Sequence, residues 1–210
     1  MRRPRFIAAQ ARHAKGPTGR LIAWIMAHET RGDNLRAIEA LAVLPTDNVL
    51  DIGTGHGRTL AELAVRTPRG LVTGVDPSAL MVEIARSRNS RLVRSGRVRV
   101  EQAEVERLPF PDATFHKAMA VHALYFWSDL SASLRQIARV FEPGGRLVMV
   151  FRSAADERAV SSFPSDLYRF PSIAELTAAL EAEGFIVERV EKGDEPAPPR
   201  PVLILATRRG

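Results

Sequence analysis

The sequence predicts an α/β fold: a doubly wound, mostly parallel sheet of seven strands whose last strand is antiparallel. Three observations predict it. From residue 45 onward, short apolar runs alternate with segments of helical periodicity, as in a parallel sheet covered on both faces. Three glycines, Gly53, Gly55 and Gly57, crowd the turn after the first run. In such folds ligands gather at the carboxyl ends of the strands, at turns of this kind. The last two runs, 185–190 and 201–207, are joined by a proline-rich loop with no helix between them, so they pair antiparallel.

The elements follow in order. The first 44 residues read as an N-terminal helical extension: Leu21, Ile22, Trp24, Ile25 and Met26 form an apolar patch. Leu35, Ile38 and Leu41 then recur every three residues until Pro45 stops the helix. Residues 45–210 form the main domain. Its first strand is 49–52, followed by a helix over 58–66. A strand at 71–75 leads to a helix over 78–88, with Ser78 as N-cap after Pro77. Strands are predicted at 98–100 and 115–121. A helix over 130–141 ends at Pro143-Gly144-Gly145, a strong stop signal, and a strand at 146–151 follows. Ser172 caps a helix over 172–183, with Glu175 at capping-box spacing and Gly184 closing it.

Composition bounds the function. The 210 residues are 45% hydrophobic, enough for one full-sized core. The absence of cysteine removes disulfides, cysteine-ligated zinc and thiol nucleophiles. No apolar run reaches the ~18 residues of a membrane span, and the expected setting is cytoplasmic, without stable membrane insertion. The net charge of +6 is carried almost wholly by arginine, with lysine only at Lys15, Lys117 and Lys192. The densest basic run, 86–99, crosses a helix end and a loop and does not line one face with aromatics. Nucleic acid is not an expected partner.

The glycine turn raises the question of a ligand. Glycine costs conformational entropy, so three together imply close approach to the backbone. The spacing is G-x-G-x-G, whereas the dinucleotide fingerprint is G-x-G-x-x-G. A nicotinamide site therefore matches poorly. Asp76, at the end of the second strand, suits a ribose diol, so a nucleoside ligand stays implied.

Four stretches in this order, VLDIGTGHG, GVDPSALM, LPFPDATF and RVFEPGGRLVMV, resemble the class I S-adenosylmethionine-dependent methyltransferases, whose fold is Rossmann-like. The resemblance is nearest to the small-molecule branch that includes the ubiquinone and menaquinone biosynthesis methyltransferases. It covers about residues 45–190 and implies S-adenosyl-L-methionine as cofactor. It implies that Asp51 and the loop of Gly53, Thr54, Gly55 and Gly57 hold the methionyl end. Asp76 with Pro77 resembles the ribose-binding acid and its neighbour. Met81 resembles the residue on the adenine face, although core filling on a helix suits it as well. Glu104 and Val105 match the positions that read the adenine ring. Two departures stand out. Ala103 replaces the usual glycine, and Glu104 is one methylene longer than the usual aspartate. His116 replaces a family aspartate and reads as structural or surface-exposed.

Methyl transfer from a sulfonium is an in-line displacement that asks mainly for alignment and exclusion of water. The end of the fourth strand should face the methyl group. His122 is the candidate base or acceptor-orienting residue and a cofactor contact. Of the neighbouring rings, Tyr125 is the one expected to line the pocket, through cation–π attraction. His56 reads as solvent-facing or a minor cofactor contact, and no metal-ligand spacing is found. The expected partner is a small-molecule methyl acceptor, compatible with an apolar one and with a homodimer. The loop 152–171 and the N-terminal helices would shape its pocket, the helices as lid, membrane contact or plain core. The alternative is a methyltransferase-like module that binds cofactor or partner without turnover.

Overall fold

A computed structural model describes residues 30–191 and 200–210, together with Arg5, Gly16 and Gly19. The apolar patch near residue 24, His13, His28, the lid expected of the first helices and most of the proline-rich loop lie outside the described residues. Helix α1 is Arg31–Leu41, β1 Val49–Ile52, α2 Arg58–Arg66 and β2 Val72–Asp76. Then come α3 Ala79–Arg88, α4 Ser90–Arg94, β3 Val98–Gln102 and β4 Phe115–Val121. The chain closes with α5 Leu130–Val140, β5 Phe141–Phe151, α6 Glu157–Ser162, α7 Ile173–Ala182, β6 Phe185–Glu191 and β7 Val202–Arg208.

The seven strands form one sheet in the order β3-β2-β1-β4-β5-β7-β6. Strands β1 to β5 run parallel, and β7 is antiparallel to both its neighbours. The doubly wound fold with an antiparallel last strand is therefore as the sequence predicts. The strand order reverses between β1 and β4, so the carboxyl ends of those two strands open the switch-point crevice.

Period-two alternation sorts the strand residues onto two faces. On β5, Leu147, Met149 and Phe151 join one core with Leu134 and Ile137 of α5 and Leu176 and Leu180 of α7. Val148 and Val150 join the other, under α1, α2 and α3. Both faces are covered, which is why β1, with the sequence VLDI, is buried at all four positions. Helix α1 buries Ala37, Ile38 and Leu41 against this second face. Ala42 ends it in the left-handed region at φ 48, returning its N–H to the Glu39 carbonyl. One face of α1 is thus core, packed against the sheet like its other helices.

The caps behave as expected. Ser78 accepts from the Met81 N–H at 3.4 Å, and Ser172 from the Glu175 N–H at 3.0 Å. Two local expectations are corrected. Pro143-Gly144-Gly145 lies inside β5: Phe141 already pairs with Phe115, and the register then jumps to Lys117 opposite Arg146. The Pro-Gly-Gly turn bulges out of a strand that began before it, because Phe141 is fully buried and anchors the start. The loop 152–171 contains α6, whose Asp156 N-cap accepts from the Ala159 N–H at 2.9 Å.

Candidate active site

Strand β1 delivers Asp51 to the crevice and the glycine turn follows at once. The turn is built by backbone bonds: the N–H groups of Gly53 and Thr54 both donate to the Val75 carbonyl, at 2.9 and 3.0 Å. All three glycines have positive φ, 72° at Gly53, 55° at Gly55 and 70° at Gly57. A Cβ there would crowd the following carbonyl. Their surroundings separate them. A Cβ on Gly53 would sit 2.6 Å from the Ala123 Cβ, and one on Gly57 2.7 Å from the Ala85 Cβ. A Cβ on Gly55 would meet nothing within 4 Å. Gly55 lines the open cleft, whereas Gly57 packs against α3 and its carbonyl accepts from Asn89 Nδ2 at 2.8 Å. Gly57 was expected at the ligand. The structure gives it a helix-packing role, because Gly57 stands at the N-cap of α2, where the chain lies against Ala85 and Asn89.

Asp51 is buried, and its Oδ2 accepts hydroxyl hydrogen bonds from Thr54, at 2.8 Å, and from Thr59. Burial pushes its acid upward and the two hydroxyls pull it back. The carboxylate therefore ties the glycine turn to the first turn of α2. Thr59 carried no sequence signal beyond its place on that turn, and it was missed. We predict that Thr59→Val, which keeps the shape and removes the donor, lowers stability by about 1–3 kcal/mol. Urea unfolding compared with wild type measures it.

Asp76 ends β2 across the cleft. Its Oδ2 accepts from the Gly55 N–H and its Oδ1 from the Ser78 N–H, both at 2.9 Å. Burial raises its acid to about 6, against the pull of those two N–H groups, with Asp51 and Glu104 adding repulsion. Each oxygen keeps a second acceptor site. Pro77, Met81, Glu104 and Val105 line the same cleft with Asp51, Thr54 and His56, as does Ala103. The cleft encloses about 1170 Å³, open mouth included. Glu104 is exposed at its rim, and Val105 is buried at its back.

The far wall comes from the turn after β4. His122, Ala123, Phe126 and Trp127 line it, joined by Thr30 and Asn34 from the start of α1. His122 has φ 55, an uncommon conformation for a side-chain-bearing residue, costing about 1–2 kcal/mol. Its N–H donates to the Val150 carbonyl at 2.8 Å. Its Nε2 lies 2.8 Å from Asp33 Oδ2, and its Nδ1 2.9 Å from the Tyr125 hydroxyl. Asp33, 89 residues away in sequence, could not have been connected to His122 from the sequence.

Tyr125 was the ring expected in the pocket. The structure turns it away from the cleft and puts Phe126 and Trp127 there. Its ring packs among Phe126, Tyr168 and Phe170 at centroid distances of 4.9–6.2 Å. A 3-10 turn at Leu124–Phe126 rotates successive side chains apart, so one ring is buried as the next is presented. Burial holds the phenol proton on. His116 is structural at a partly open site, its Nδ1 accepting from the Asn48 N–H at 2.9 Å. Among the described residues no helix is long and apolar enough to cross a membrane.

Residues 49–145 match the family model described as a methyltransferase domain. That span runs from β1 into β5 and contains the glycine turn, Asp76 and His122. Over that span the chain is similar to methyltransferase domains. An O-methyltransferase of Penicillium expansum is 37% identical over 123 residues, 58% of this chain and 44% of that protein. A ubiquinone/menaquinone biosynthesis C-methyltransferase of Geotalea daltonii is 32% identical over 115 residues, 54% of this chain and 49% of that one. The chain thus spans about half the length of these relatives. The crystal structure of a SAM-dependent methyltransferase from Aquifex aeolicus superposes with TM-score 0.70 at 23% identity, covering 84% of this chain and 89% of that one. At that identity the likeness concerns the fold.

Proposed function

We propose that this protein moves the methyl group of S-adenosyl-L-methionine onto a small-molecule acceptor by in-line displacement. The observation that carries the reading is the buried carboxylate of Asp76, set at the end of β2 with open acceptor sites toward the cleft. The cofactor supplies an electrophilic methyl on a sulfonium. The remaining roles belong to the protein. Asp76 accepts the ribose hydroxyls. Met81, Ala103 and Val105 offer apolar contact to the adenine, and Glu104 at the rim accepts from its amino group. The cleft side of the Gly53–Gly55 backbone, with Asp51 behind it, takes the methionyl end. His122, Phe126 and Trp127 wall the transfer zone and exclude water from it.

Proteins similar to this one are named as O-methyltransferases and as C-methyltransferases of quinone biosynthesis. The two names support oxygen or carbon as the atom methylated, and the second supports an acceptor of quinol character. The apolar wall of Val121, Ala123, Phe126 and Trp127 favours such a ring over a charged acceptor.

The test has two stages. Calorimetric titration with S-adenosylhomocysteine should give saturable one-site binding. Incubation with methyl-labelled cofactor and a panel of phenols and quinols should transfer label to at least one of them. Binding without transfer to any member would move the reading to a cofactor-binding module. Absence of binding by folded protein would overturn it.

A further inference from the structure

We propose that Asp33 is a positioning residue for this site: with Tyr125 it clamps the His122 imidazole from both sides, in the tautomer that carries its proton on Nε2. The inference rests on the cleft being the methyl-transfer site.

The proton inventory leads to it. The Tyr125 oxygen accepts the Arg152 N–H at 2.6 Å. The phenol's own proton is then available to His122 Nδ1, 2.9 Å away. A neutral imidazole has one donor nitrogen and one acceptor nitrogen. With Nδ1 accepting, Nε2 carries the proton and donates it to Asp33 Oδ2 at 2.8 Å. Every link then points the same way: Arg152 N–H to Tyr125, Tyr125 O–H to His122, His122 N–H to Asp33. Such a chain polarises along its length and ends on a carboxylate that favours the donor at its last step.

Its three anchors lie on separate elements. Arg152 follows β5 and His122 follows β4. Asp33 sits in the first turn of α1, a helix pinned by Ala37, Ile38 and Leu41 and by Arg36 Nη1 donating to the Pro201 carbonyl at 2.9 Å. Asp33 is therefore presented from a fixed support, between the cleft-lining Thr30 and Asn34. The clamp also meets a need. His122 stands at φ 55, and a residue in that region persists only where its surroundings over-determine it. The next residue, Ala123, is the one a Gly53 side chain would strike. Holding His122 holds Ala123 against the glycine turn, so Asp33 acts on the cofactor half of the cleft through two neighbours.

A consequence concerns chemistry. With both nitrogens committed, the imidazole presents no lone pair to the cleft. A base role for His122 would require its Nδ1 to give up the Tyr125 hydroxyl.

The test uses the full chain labelled with ¹⁵N-histidine. Long-range ¹H–¹⁵N spectra report the tautomer, with the His122 signals assigned from a His122→Gln sample. Wild type should show an unprotonated Nδ1 and a protonated Nε2. Asp33→Asn keeps an oxygen acceptor and should keep both the tautomer and the S-adenosylhomocysteine affinity. Asp33→Ala should mix the tautomers and weaken that affinity by about threefold to tenfold, the scale of coupling through packed neighbours. Tyr125→Phe should also mix the tautomers. An Nδ1–H tautomer in wild type overturns the clamp, as does a tautomer unchanged by every substitution, or Asn behaving like Ala. If Asp33→Ala does not fold, the Asn and Phe variants still decide. Wild type that shows the clamped tautomer but binds no S-adenosylhomocysteine overturns the cofactor reading instead.

Discussion

Asp76→Ala should weaken S-adenosylhomocysteine binding at neutral pH by about tenfold to a hundredfold, because hydrogen bonds to a charged partner contribute about 1.5–3 kcal/mol. Calorimetric titration of mutant and wild type reads it. The same carboxylate sets two pH dependences of opposite sign. Its acid stands at about 6 in the unliganded fold. Only the ionised form accepts through all its lone pairs, so affinity should be level above that value. Below it, affinity should fall up to about tenfold per pH unit as the group protonates.

Stability runs the other way. The folded group titrates above its ordinary value of 3.8, so the native state binds more protons than the unfolded chain between about 4 and 6. Stability from this group is therefore fullest below 4 and is lost as pH rises through 6. Two units at 1.36 kcal/mol each set a ceiling of about 3 kcal/mol. Across that span, urea unfolding of Asp76→Ala should move in the mutant's favour relative to wild type. Weak binding together with this gain cannot come from a damaged fold. Equal affinity in mutant and wild type would remove Asp76 from the site.

Much of this was legible in the sequence for a physical reason. The central strands β1 and β2 are buried at every position because both faces of the sheet are covered, whereas β3 and β6 at its edges alternate with charged residues. That Gly53, Gly55, Asp76 and Pro77 line one cleft was legible because they come from consecutive backbone: Gly53 to Gly55 on one turn, Asp76 and Pro77 on the next. What escaped was long-range or rotational. No local pattern joins Asp33 to His122, since α1 and β4 meet only when the sheet closes. The Leu124–Phe126 turn decides which ring faces the cleft, and the residue types alone do not fix that rotation. Pro143-Gly144-Gly145 read as a helix stop when the helix had already ended at Val140. The buried Phe141 had recruited the intervening residues to the strand.

The three glycines, alike in sequence, should separate when each is changed to alanine. All have positive φ, so each substitution costs about 1–2 kcal/mol in backbone strain. Gly53→Ala adds a contact at 2.6 Å with the Ala123 Cβ, an overpacking worth about 1–3 kcal/mol more. The sum is a loss of about 2–5 kcal/mol. Removing the struck methyl in Gly53→Ala/Ala123→Gly should restore the packing part and leave the strain. Gly57→Ala should behave like Gly53→Ala, since its added methyl falls 2.7 Å from the Ala85 Cβ and 3.0 Å from the Asn89 amide. Gly55→Ala meets no neighbour within 4 Å, so its stability loss should stop at the strain. Its methyl instead enters the cleft where the methionyl end is proposed to lie, and S-adenosylhomocysteine affinity should drop by tenfold or more, about 1.4 kcal/mol. Urea unfolding and calorimetry on the four variants measure both quantities. Unimpaired binding by Gly55→Ala would mean that the turn shapes the fold at all three glycines and touches no ligand at the one the protein leaves open.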